Sequence, residues 1–334
     1  MNSLRALFIG GNGIISSSIS RLAVERGVDL TLLNRGVESS RPPIDGARSL
    51  VGDAGDAESL AAAIGSAEYD VVVNFRNFLP SQTVADIDLF SGRVGQYVFI
   101  SSASAYQKPV AHLPITESTP LRNPWWQYSR DKIASEDLLV QAYRERGFPA
   151  TIVRPSHTYD RTLIPMDGGW TIIDRMRRGL PVVVHGDGTS LWTLTHTRDF
   201  AKAFIGLLGH PAAVGDTFQI TSDDVLTWDA IYRTMARAAG VAEPELVHVA
   251  SETIAAAIPD WGPGLLGDKA HSVVFDNSKV KRLVPDYVAS IPFAAGAREI
   301  VEWYDEDASR RVVDADVDAA IDGLVAWARR APGA

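Results

Sequence analysis

The first half of the chain is a train of short, nearly uninterrupted apolar runs: LRALFI (4–9), VDLTLL (28–33), ARSLV (47–51), DVVVNF (70–75), QYVFIS (96–101) and ATIVRP (150–155). Amphipathic segments of helical length separate them. Runs of Val, Ile and Leu that do not alternate with polar residues suit strands covered on both faces, since a strand with one wet face shows a period of two. Such strands alternating with helices predict an α/β fold, a Rossmann doubly wound parallel sheet. Beyond residue 157 the texture changes to a Gly, Pro and Trp-rich stretch, short strands at PVVVH, LWTLT and DTFQIT, and then mostly helix. This predicts a smaller α+β lobe interleaved with the first.

Directly after the first apolar run stands Gly10-Gly11-Asn12-Gly13-Ile14-Ile15-Ser16, which opens an amphipathic helix reaching about Arg26. Glycines let the backbone turn sharply and approach a pyrophosphate, which then sits against the unpaired amides and positive end of the helix. The strand before and the helix after supply the context that a glycine motif needs. At the end of the second strand, where a carboxylate would bind ribose hydroxyls, the chain carries Asn34-Arg35. An amide and a guanidinium fork favour a ribose 2′-phosphate, so NADP is the preferred cofactor and NAD the alternative. Asp53, after the third strand, is placed to accept from the adenine amino group. On this reading residues 1–157, with roughly 186–210, form the dinucleotide-binding domain, and 158–185 with 211–330 the substrate-binding lobe.

Two further features fall where such a fold brings its nicotinamide. Ser102 follows the fifth strand, and Tyr128 with Lys132 opens a long helix. Residues four apart share one helix face, so the ammonium can sit beneath the phenol, favour phenolate and bring its pKa toward neutrality. Ser102 would orient the substrate oxygen. Remaining cofactor candidates are Ile14, Ile15, Asn74 and Pro155; substrate candidates are Ser104, Trp126, His157 and Trp192. Arg76 and Asn77, after the fourth strand, could also reach a pocket or be ordinary loop residues.

Composition closes other routes. The chain has 32 Lys and Arg against 41 Asp and Glu, a net charge of −9, and no cysteine. The negative field disfavours nucleic acid and anionic membranes as partners, and thiol chemistry is excluded. The seven histidines lack metal-ligand spacing, so no metal site is expected. The apolar stretch in MNSLRALFIGGNG is only a strand long and broken by glycines, which points to a cytoplasmic protein.

The glycine turn, Ser102, Tyr128 with Lys132, Arg154-Pro155, His185-Gly186-Asp187-Gly188-Thr189 and Thr197-Arg198-Asp199-Phe200-Ala201 together resemble an extended short-chain dehydrogenase/reductase of the NAD-dependent epimerase/dehydratase type. The resemblance implies a cofactor lobe, a second lobe closing over a small-molecule substrate, and a homodimer built on helices near 81–91 and 128–146. It departs in three places. Family dehydratases carry Asp-Glu after the catalytic Ser or Thr, where this chain has Ala103-Ser104. Nucleotide-sugar epimerases usually have Asn in the segment that here reads Arg154-Pro155-Ser156-His157, and a pyrophosphate-holding Arg where this chain has Trp192. These departures disfavour dehydration and a nucleotide sugar. They favour an NAD(P)-dependent oxidoreductase or epimerase acting on a hydroxyl or ketone of a sugar-like or polyol substrate. The alternative implied by the same resemblance is a catalytically idle, cofactor-sensing or RNA-binding relative.

Overall fold

The computed structural model describes residues 3–36 and 41–330. The six apolar runs fold into strands β1 (Arg5–Ile9), β2 (Asp29–Asn34), β3 (Arg48–Val51), β4 (Val71–Asn74), β5 (Gln96–Ile100) and β6 (Ala150–Pro155). They lie in one parallel sheet, whose seventh strand is Thr217–Ile220, in the order 217–220, β6, β5, β4, β1, β2, β3. Helices α1 (Ile14–Glu25), α2 (Ala57–Ile64), α3 (Pro80–Phe90) and α4 (Gln127–Arg146) make the crossovers, while α5 (Trp170–Arg177) and α6 (Thr197–Leu207) follow. On one face Phe8, Val73, Val98 and Val153 pack with Ile19, Phe200 and Phe204; on the other Leu7, Val72 and Phe99 pack with Leu60, Ile87 and Leu139. Burial on both faces is why these strands read as continuous apolar runs.

The chain leaves β1 toward β2 on one side and returns to β4 on the other. The strand order therefore reverses between β1 and β4, and a crevice opens beyond their C-terminal ends, where doubly wound sheets bind ligands.

One segment lies elsewhere than expected. The sequence pattern places residues 211–330 in the second lobe, but Thr217–Ile220 pairs in parallel with β6 as an edge strand of the large sheet. Val280 and Tyr287 join the same core cluster as Phe8 and Phe204. Helix α6 packs beside α1, so the chain that leaves it extends the sheet rather than starting a new one. The second core gathers Trp170, Ile173, Val183, Trp192, Trp228, Ile231 and Phe293. Its two-stranded ladders include Val182–His185 with Leu246–Val249 and Leu191–Trp192 with Leu226–Thr227.

Candidate active site

Helix α4 buries a polar stripe, Ser129, Lys132, Ser135 and Glu136, at the i, i+3, i+6, i+7 positions of one face. That face meets the end of β5. Its start is anchored by Asn123, which is buried: Oδ1 accepts from the amides of Trp125 (3.2 Å) and Trp126 (3.1 Å), and Nδ2 donates to the carbonyls of Ser104 (2.9 Å) and Gly267 (2.7 Å). One side chain thus joins the β5 end, the helix start and the second lobe. Sequence reasoning passed over Asn123 because its partners are 19 and 144 residues away.

A cavity of about 510 Å³ lies over this junction, lined by Gly10, Ile14, Ile15, Ser102, Ser104, Trp126, Tyr128, Lys132, Pro155, His157 and Trp192 among others. A second, of about 730 Å³, holds Asn12, Asn34, Arg35 and Asp53. Both include Gly10, Gly13, Arg76 and Phe78, so they meet at the glycine turn. The structure brings together Ser102, Tyr128 and Lys132 at one end of this trough and Asn34, Arg35 and Asp53 at the other.

Two predicted cofactor residues sit differently. Asn74 is buried with both ends of its amide engaged, Nδ2 to Asp86 (2.8 Å) and Oδ1 to the Arg76 amide (2.8 Å), and it lines neither cavity. Period two turns the last residue of β4 inward, where a buried carboxylate claims it. Gly11 also lines neither cavity: a Cβ there would stand 2.4 Å from a Leu32 methyl, so this glycine serves helix-to-strand approach.

The residues of the trough fit a dinucleotide. Gly10 has φ +82°, a conformation that L side chains rarely adopt. The Asn12 Oδ1 is buried without a partner among the described residues, an orphaned acceptor beside the turn. The first amides of α1 have no intrahelical acceptor. Ser16, in place of a third glycine, donates to the Gly10 carbonyl (2.7 Å) and accepts the Gly13 amide (2.7 Å).

The electrostatics of the reactive end differ from expectation. Burial pushes the Tyr128 phenol above its ordinary value; a hydrogen bond with Ser102 pulls it down and the Asp268 carboxylate pushes it up. The Lys132 ammonium lies 5.6 Å from the Tyr128 ring centre and donates to the carbonyls of Asn77 (2.6 Å) and Ile100 (2.7 Å). Burial draws its own pKa down to about 7, opposed by Glu136. Lys132 therefore does not bring the phenol to neutrality here, because desolvation weighs on both groups and carbonyls hold the ammonium. Ser102 and Ser104 share a hydroxyl contact of 2.8 Å, and Ser104 one of 2.7 Å with Ser129.

On the substrate side the Trp126 ring lies 5.0 Å from Tyr128, and the Trp192 indole donates to His157. Asp268 and Lys269, which sequence reasoning did not single out, also line the cavity; Lys269 is paired with Asp167 (2.7 Å) and Asp268 with the buried Lys108 (3.3 Å). Trp170, outside this cavity, stacks on Tyr304 in the second core.

Known proteins resemble this chain over the same regions. The model of the NAD dependent epimerase/dehydratase family matches residues 6–221. The chloroplast stem-loop binding protein of 41 kDa b of Arabidopsis thaliana is 27% identical over 256 residues, 73% of this chain but 65% of that protein's length. The 2′-dehydrokanamycin reductase of Streptomyces kanamyceticus is 26% identical over 342 residues, covering 99% of this chain and 94% of that protein. An epimerase of Methanothermobacter thermautotrophicus shares the fold, with a TM-score of 0.74 at 16% identity over 92% of this chain and 94% of that one. A glycine turn at the sheet's switch point and a Ser, Tyr and Lys beside it agree with the family match: the chain belongs to the NAD-dependent epimerase/dehydratase family.

Proposed function

We propose that this chain interconverts a hydroxyl and a ketone on a sugar-like ring that carries no nucleotide diphosphate, with Tyr128, Lys132 and Ser102 as its catalytic residues. The observation that carries the reading is the single cavity in which these three side chains adjoin the glycine turn. The bound dinucleotide supplies or takes up the hydride. Tyr128 Oη holds the proton that the substrate oxygen gains on reduction and loses on oxidation. Ser102, whose hydroxyl lowers the pKa of that phenol, orients the same oxygen. Lys132, freed from a carbonyl, holds the ribose. Such proton transfer is worth roughly 10²- to 10⁴-fold in rate.

Two features support a substrate without a pyrophosphate. Trp192 and His157 occupy the corner where a guanidinium would be needed, and Lys269, the second lobe's cation there, is engaged by Asp167. The full-length similarity to a protein named 2′-dehydrokanamycin reductase fits a reductase of a non-nucleotide sugar. Asn34 and Arg35 support NADP over NAD. Exposed Leu79 and Val84 on or beside α3 and Tyr143 on α4 support a homodimer through those helices, testable by light scattering.

Titration with NADPH and NADH by fluorescence, then a turnover screen of ketosugars with Tyr128→Phe as control, tests the reading. Full activity of Tyr128→Phe on a genuine substrate would overturn it. The similarity to a plastid stem-loop binding protein makes RNA binding a second reading. Tight RNA binding at moderate salt with no turnover on any carbonyl would favour it.

A further inference from the structure

Arg76 has no role in the reading above, yet it stands at the centre of the trough. It stands two residues beyond β4, as Gly10 stands one beyond β1, and these strands flank the switch point. Its aliphatic stem lies directly on the glycine turn: a Cβ built on Gly10 would be 2.5 Å from Arg76 Cγ and 2.8 Å from Cδ. The side chain lines both the nicotinamide-end and ribose-end cavities. Its backbone is held from below, since the Arg76 amide donates to Asn74 Oδ1 (2.8 Å) and Asn74 and Asn77 both donate to Asp86 (2.8 Å each). The guanidinium is exposed; its recorded neighbour is the Phe78 ring at 5.3 Å, and no carboxylate pairs with it among the described residues.

One donor of the glycine turn is already engaged. Ser16 Oγ takes up the Gly13 amide, a group otherwise available to a phosphate. A charged fork beside the turn can supply what that amide does not, since a guanidinium offers parallel donors to two phosphate oxygens.

We propose that Arg76 is a cofactor-binding residue that clamps the dinucleotide's pyrophosphate from the β4 side, in place of the amide consumed by Ser16. The pyrophosphate is common to NAD and NADP, so Arg76 grips both, whereas Arg35 contacts only a 2′-phosphate. This rests on the dinucleotide reading and adds a residue to it.

The test is fluorescence titration of wild type, Arg76→Gln, Arg76→Lys and Arg35→Gln with NADH and with NADPH, each at low and moderate NaCl. Arg76 is exposed, so circular dichroism should show the variants folded. The expected result is a loss of roughly tenfold or more for Arg76→Gln with both cofactors, by the same factor. Its salt dependence should flatten, with Arg76→Lys in between and Arg35→Gln affecting NADPH alone. Unchanged affinity in Arg76→Gln overturns the proposal, as does a loss confined to NADPH, which would make Arg76 a reader of the 2′-phosphate. If wild type binds neither dinucleotide, the functional reading fails and this inference with it.

Discussion

The indole N–H of Trp192 donates to Nδ1 of His157 across 3.2 Å. A neutral imidazole has one donor and one acceptor nitrogen, so this bond leaves Nε2 carrying the proton. Burial pulls the His157 pKa down to about 3, helped by the charge of Lys269 and opposed by Asp167, so the ring stays neutral throughout the working range. His157 is therefore a fixed hydrogen-bond donor in the substrate cavity. Replacement of His157 by Phe should raise KM for the substrate by roughly tenfold while leaving the dissociation constant for the cofactor unchanged. Steady-state kinetics at several pH values should show no His157 inflection near neutrality in wild type, and an unaltered KM would remove His157 from the substrate contacts.

Tyr128 lines the same cavity as Trp126, His157 and the glycine turn. Tyr128→Phe should lower kcat by roughly 10²- to 10⁴-fold with cofactor affinity retained, because the ring stays in its contact with Trp126 and only the proton-carrying oxygen is lost. Paired turnover and fluorescence titrations separate the two effects.

Lys132 makes the fold's stability depend on pH. Burial holds its folded pKa at about 7, whereas an unfolded lysine titrates near about 10.4. Between those values the unfolded chain binds more protons, so the burial cost is full below about pH 7 and is relieved as pH rises toward 10. Lys132→Met escapes that dependence. The melting temperature of the variant relative to wild type should be most favourable at pH 6 and decline steadily by pH 9. A difference that is flat with pH would show that burial does not shift this lysine.

The Arg154–Glu136 pair, 2.5 Å apart and almost wholly buried, ties β6 to α4 below the site, with Ser101 also donating to Glu136. Glu136→Gln leaves a buried guanidinium without its counter-charge and should cost about 3–5 kcal/mol, measured by denaturant unfolding. The same change removes the charge that supports the Lys132 ammonium, so the alkaline limb of the pH–rate profile should move to lower pH.

Arg35 and Asn34 close the ribose end. Arg35→Asp should invert cofactor choice, weakening NADPH by roughly ten- to a hundredfold with little effect on NADH. Equal affinities for both cofactors in wild type would show that this pair does not select.

How much of the site could be read in advance follows from how local each feature is. The glycine turn, the Tyr128 to Lys132 spacing and the apolar runs are set within a few residues, and their chemistry survives whatever the rest of the chain does. Asn74 looked like a cofactor contact by its position, but a carboxylate twelve residues on turns it inward. Asn123, Asp268 and Lys269 carried no local signal.

By itself, the sequence determined a doubly wound sheet with a glycine turn at its first crossover, because unbroken apolar runs must be covered twice and a strand–glycine–helix junction exposes amides to an anion. Tertiary structure alone decided that Thr217–Ile220 would extend that sheet, that Lys132 would be buried among carbonyls, and that Arg76 would lie on Gly10. The reason is physical: pairing, desolvation and close approach are set between groups distant in the chain, which only the folded packing brings to the same place.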